Sequence, residues 1–92
     1  MGSFMGGSAP AMARQVCDGY TLLSANSLKR LELDQMVQLE FEMDKKLREA
    51  RSDQPDLQDQ AALQARNRRI SRIDGQLRVL RQTMQQKRMG RL

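Results

Sequence analysis

The chain has 92 residues, with 16 Lys or Arg against 11 Asp or Glu, no His, no Trp, one Cys, one Tyr and two Phe. That length allows one small domain, and the scarcity of aromatic residues excludes a compact α/β core. With no His and only Cys17, neither a disulfide framework nor a metal or haem site can be built within one chain, so no metal and no cofactor are expected.

Residues 1–26 are rich in Gly, Ser, Ala and Met, and nothing before Met12 is periodic. Gly2, Gly6, Gly7 and Pro10 disfavour regular structure. The segment is expected to be an extended N-terminal arm. It is either flexible or ordered against a partner, because Phe4, Met5, Val16, Tyr20, Leu22 and Leu23 are too apolar for a solvated linker. No basic stretch followed by an apolar run opens the chain, and no apolar run approaches the ~20 residues that span a bilayer. The expectation is a soluble intracellular protein, cytoplasmic or held within a virion or other large assembly, with no membrane partner.

Ser27 is a good N-cap directly before Leu28, so helix 1 is expected over about 28–51. Val37, Leu39, Phe41 and Met43 alternate with Gln38, Glu40 and Glu42 as in a half-buried strand. Met36, Leu39, Met43, Leu47 and Ala50 also share one helical face, however, and Met, Leu, Gln, Glu and Lys are strong helix formers. Helix is the better reading. A second apolar face of the same helix carries Leu33, Val37 and Phe41 at four-residue intervals.

Ser52 to Asp56 breaks the pattern. Pro55 suits the first turn of a new helix, and Asp56 and Asp59 suit its positive end, so helix 2 is expected over about 55–88, with Gly90 as its stop. Leu63, Ile70, Ile73, Leu77, Leu80 and Met84 recur at spacings of three and four, interrupted by Arg66, and form a seam for a neighbouring helix. The short connection implies antiparallel neighbours. A turn near Gln54 sets Ile70 opposite Leu39, Ile73 opposite Met36 and Leu77 opposite Leu33.

The expected fold is therefore all-α: an antiparallel, coiled-coil-like two-helix hairpin over 27–92 with an extended N-terminal arm. Helix 2, at about 33 residues and 50 Å, overshoots helix 1, at about 24 residues and 36 Å. A hairpin of this size is marginal alone, and the overhang needs cover from the arm, a second copy or another protein.

From Gln60 onward there are nine basic residues and one acid, Asp74, whereas helix 1 balances six acids with six bases. Arg66, Arg69, Arg72, Arg78 and Arg81 are the candidate contacts to nucleic-acid phosphate or to an acidic protein surface. No aromatic residue lies among them to stack on bases, and they spread around the helix. The helix 1 carboxylates are interspersed with bases and have no pocket for acid–base work. Cys17 lies beside Asp18 with no base nearer than Arg14, which is poor support for a nucleophile. No catalytic residue is assigned, and the chain is not expected to be an enzyme. The seven Met residues fit a loosely specified seam.

Arg72-Ile73-Asp74-Gly75-Gln76-Leu77-Arg78 is similar to the opening helix of the copper- and formaldehyde-responsive repressors, whose pattern is basic–Ile–acidic–Gly–Gln–apolar–Arg. The Cys and His ligands that this family carries downstream have no counterpart here. The opening Met1-Gly2-Ser3-Phe4-Met5-Gly6-Gly7-Ser8-Ala9-Pro10 resembles the Gly/Ser/Pro-rich starts of small virion proteins in tailed bacteriophages. The short two-helix plan also resembles the small co-chaperones of bacterial type III secretion. Both of these resemblances imply a short hairpin that docks on a larger partner without catalysis.

The expected function is a non-enzymatic structural or assembly subunit that docks by helix–helix packing onto a protein partner or further copies of itself. Its expected partner-binding residues are Leu33, Val37, Phe41, Phe4 and Tyr20. The alternative is a basic helical protein that binds nucleic acid through the helix 2 arginines.

Overall fold

The computed structural model describes residues 4–91. Met1, Gly2 and Ser3 of the expected arm, together with Leu92, lie outside the described residues. Four helices follow one another, α1 (Ala9–Cys17), α2 (Ala25–Leu28), α3 (Leu33–Ser52) and α4 (Gln60–Arg88), and there is no strand among the described residues. The alternation from Val37 to Met43 is thus absorbed in a helix.

α1 forms in a segment whose composition reads as loop. Ser8 caps it, its side-chain oxygen accepting from the Ala11 amide at 3.2 Å, and Pro10 occupies the first turn, where the missing N–H costs nothing. Its end is a Schellman motif: the Gly19 amide donates to the Val16 carbonyl and the Tyr20 amide to the Gln15 carbonyl. Gly19 takes φ +88° there, a conformation that disfavours any residue with a Cβ. Met12, Ala13, Val16 and Cys17 repeat at helical spacing and are all buried. The expected arm is therefore ordered by its own chain, packed against both α3 and α4.

Helix 1 of the sequence reading is divided in two. Ser24, rather than Ser27, is the N-cap, and Ser27 is its capping-box partner. After one turn the chain breaks at Lys29–Glu32, without a Gly or Pro, and α3 starts at Leu33. The break lets both Leu28 and Leu31 enter the core, and the Lys87 ammonium satisfies the Leu31 carbonyl at 2.9 Å. The Gln35 side chain, in turn, accepts from the Glu32 amide at the new helix start.

α4 begins later than expected. Asp56 turns the chain by accepting from the Gln58 amide, and Asp59 is the N-cap, accepting from Ala62 at 3.0 Å. Pro55 lies in the loop. The extra loop residues change the pairing with α3. Arg81 contacts Glu40, whereas the expected level for Glu40 lay beside Ile70, about three helical turns earlier on α4. Arg66 donates to the carbonyls of Arg51 and Asp53, closing the C-terminal end of α3.

One continuous core results. Met36, Leu39, Met43, Leu47 and Ala50 of α3 meet Ile73, Leu77, Leu80 and Met84 of α4, with Ile70 packed at the edge; Leu63 is only half-buried. The four residues of α1 named above, with Leu23, Leu28 and Leu31, complete it. α1 packs on both α3 and α4 and α2 packs on α4, while the corrected register brings the C-terminal half of α4 alongside α3 as far as Lys87 and Leu31. Thr83 is also buried, its hydroxyl donating to the Val79 carbonyl within the helix. The molecule measures 49 × 24 × 18 Å, and none of its described helices is long and apolar enough to cross a membrane.

Candidate docking surface

α3 directs five of its side chains into the core, and the opposite face points to solvent. Val37 and Phe41 stand on that outer face one turn apart, 43 % and 65 % exposed. Phe41 projects between two shallow clefts. One runs towards the start of α1 and is lined by Ala9, Pro10 and Val37; the other runs towards α4 and is lined by Glu40, Asp44 and Arg81. The Arg81 guanidinium holds Glu40 at 2.9 Å and Asp44 at 3.8 Å, so these two acids on the α4 side of Phe41 are neutralised from within the chain, while Glu42 lines the cleft on the α1 side. Arg48 pairs with Asp44 one turn away on the same helix.

The other expected partner residues separate from this ridge. Leu33 opens α3 and is half-buried against the core, so the expected three-residue ridge is reduced to Val37 and Phe41. Phe4 also packs on the core, held by a turn in which the Gly7 amide donates to the Phe4 carbonyl. Tyr20, 83 % exposed after the Schellman turn, and Leu22 form a second apolar feature remote in sequence from Phe41. Leu57, in the loop before α4, is a further exposed apolar residue outside the periodic stripes, as are Met5 and Met89 near the two ends. A cleft between the N-terminal turn and α2 is lined by Phe4, Met12, Ser27 and Arg30, and carries no charge cluster.

The five arginines do not form one open face. Arg69 lies 2.7 Å from the Asp18 carboxylate and also donates to the Cys17 carbonyl, which Arg72 reaches at 3.2 Å. Together they close the C-terminal end of α1, the negative end of its dipole. Arg66 closes α3 in the same manner, Arg81 is held by two acids, and Arg78 makes only a long contact of 4.0 Å to Asp74 on its own helix. Four of the five therefore act as internal clamps. No sequence signal marks that role, because the acceptors are mainly backbone carbonyls and residues distant in the chain.

Cys17 is buried at the same junction, and burial pushes its thiol up to about 11, against the opposing pull of the Arg69 charge. A thiol so placed is neutral and shielded at physiological pH. Among the described residues no group of His, Cys, Asp and Glu is arranged to hold a metal ion. No protein-family description, curated protein or solved structure matches the chain.

Proposed function

We propose that the protein is a non-enzymatic assembly subunit, an antiparallel helical hairpin braced by its N-terminal helix, that docks into a larger complex through the outer face of α3. The observation that carries this reading is Phe41: the largest apolar side chain of α3 stands outward, one turn from an exposed Val37, in a chain with few aromatics to spare. Aromatic side chains of this kind are the usual anchors of helix-mediated docking. The antiparallel arrangement is supported by Arg66 reaching the end of α3, Arg81 its middle and Lys87 the carbonyl before its start. A phage virion component and a secretion co-chaperone are the settings that suit a short, helical, non-catalytic subunit.

The absence of catalysis is supported by the neutral, enclosed state of Cys17 and by a chain without His. Nucleic-acid binding ranks below docking, because phosphate would have to draw Arg66, Arg69, Arg72 and Arg81 away from acceptors that hold the helices together. The test is site-specific photo-crosslinking in the cell of origin. Benzoylphenylalanine at position 41 is expected to yield a discrete protein adduct, and the same probe at exposed Leu57 to yield none. Equal labelling at both positions, or none at 41, contradicts the reading.

A further inference from the structure

The outer stripe of α3 has an internal symmetry. Asp34 precedes Phe41 by seven residues and Arg48 follows it by seven, while Val37 and Lys45 stand four residues to either side. Seven residues are two helical turns, so Asp34, Phe41 and Arg48 share one line along the exposed face. All three are solvent-exposed. The pattern reads acid, apolar, aromatic, base, base.

We infer that a second copy of this chain is the occupant of the face, with two α3 helices crossing antiparallel and Phe41 at the two-fold axis. This inference rests on the docking reading above and adds the identity of the partner. In that arrangement each Asp34 meets Arg48 of the second copy, and each Val37 lies under the aliphatic stem of Lys45 of the second copy. The two Phe41 rings meet beside the axis, each directed into the cleft near Pro10 and Val37 of the other copy.

The charges at the ends of the stripe favour this register. Sliding one helix by four residues brings Phe41 against Val37 and improves apolar overlap. The same slide sets Asp34 opposite Asp44, a like-charged pair, and carries Arg48 past the start of α3, where no acid of the facing helix meets it. In the Phe41-centred register both Asp34–Arg48 contacts at the ends of the stripe pair opposite charges, while of the two acids that flank the axis Glu40 is already held by Arg81 and Glu42 stands at the rim. The existing Arg48–Asp44 pair is an exposed contact within one helix, with Arg48 largely solvated, so redirecting Arg48 costs little. Asp44 keeps Arg81 as its partner when Arg48 leaves.

The experiment is sedimentation equilibrium of the purified full chain, with helicity followed in parallel by circular dichroism. Wild type is expected to associate to a dimer, and Phe41→Glu to remain a helical monomer. Asp34→Arg and Arg48→Asp are each expected to weaken dimerisation by at least about tenfold, since each creates two symmetric like-charge contacts. The double variant is expected to recover to within about threefold of wild type, as a double-mutant cycle requires of a direct pair. A wild-type chain that stays monomeric overturns the inference, as does a dimer indifferent to the single reversals or not rescued by the double. If the chain is monomeric while the probe at position 41 still captures a different protein, the docking reading stands and the second copy falls. If neither occurs, both fall.

Discussion

Met12 distinguishes an N-terminal arm from an N-terminal core helix. It sits on α1 with only 1 % of its surface exposed, within the same apolar cluster as the α3 and α4 seam. Met12→Ala removes most of a buried side chain. At about 0.8 kcal/mol per methylene-sized group, the transfer loss is about 2.5 kcal/mol, and an incompletely collapsed cavity brings the total to roughly 3 kcal/mol. A domain of this size has a total stability of about 5–14 kcal/mol, so the change removes a large fraction of it. Each kcal/mol lowers the melting temperature of a domain of 60–100 residues by roughly 4–8 °C, which predicts a drop of about 12–24 °C. Thermal melts followed by far-UV circular dichroism measure it. Met5→Ala, at an exposed position before the helix, is the control and is expected to lie within about 0.5 kcal/mol of wild type. A Met12→Ala melt within about 3 °C of wild type would refute the packing of α1 on the hairpin.

Burial raises the Cys17 thiol from its ordinary 9.0 to about 11, so the unfolded chain releases this proton first. The associated stability is fully present below pH 9 and is lost as the pH rises to about 11, a fall of roughly 2–3 kcal/mol that denaturant melts should show and that Cys17→Ala should lack. Replacing Arg69 and Arg72 together with Gln removes the clamp on the Cys17 carbonyl, and should speed alkylation of the native thiol by about tenfold as α1 opens more often. Gly19→Ala should destabilise by about 1–2 kcal/mol, because φ is +88° and a new Cβ would stand 3.1 Å from the Arg72 side chain. Gly75→Ala, in the middle of α4 with open space around its Cβ position, should stabilise by about 0.5–1 kcal/mol.

The α3 and α4 seams are legible because their apolar residues recur at three and four over several turns, and Met36, Leu39, Ile73 and Leu77 are buried as that spacing requires. Their register is not legible. It depends on how many residues the connection uses, and Asp56 and Asp59 form successive local caps that delay α4 to Gln60. α1 escapes a periodicity search because two of its core residues, Ala13 and Cys17, are small and its start is rich in Gly. The signals that would have found it are local: Ser8 and Pro10 at one end and Gly19 at the other. The break before Leu33 has no Gly or Pro to mark it; its one local signal is the Glu32–Gln35 capping box, and the burial of Leu28 and Leu31 together goes with it. On the outer face of α3, the exposure of Val37 and Phe41 follows from the helical wheel. Leu33 departs from them because it lies at the helix start, where it turns in to the core. The clamping arginines read as a free basic surface for a related reason: their acceptors exist only once α1 is folded against α4.

On the proposed function, the outer face of α3 is covered when the protein is at work. The chain contains two Phe, of which Phe4 packs on the core and Phe41 stands exposed. Incorporating 4-fluorophenylalanine therefore provides two fluorine resonances, one at the proposed interface and one away from it. Titrating the protein from dilute to concentrated solution in the presence of a soluble paramagnetic relaxation agent reads the exposure of each ring directly. Phe41 is expected to lose its relaxation enhancement as the molecular mass rises, while Phe4 is unchanged. A Phe41 resonance that stays equally exposed in the associated protein would contradict it.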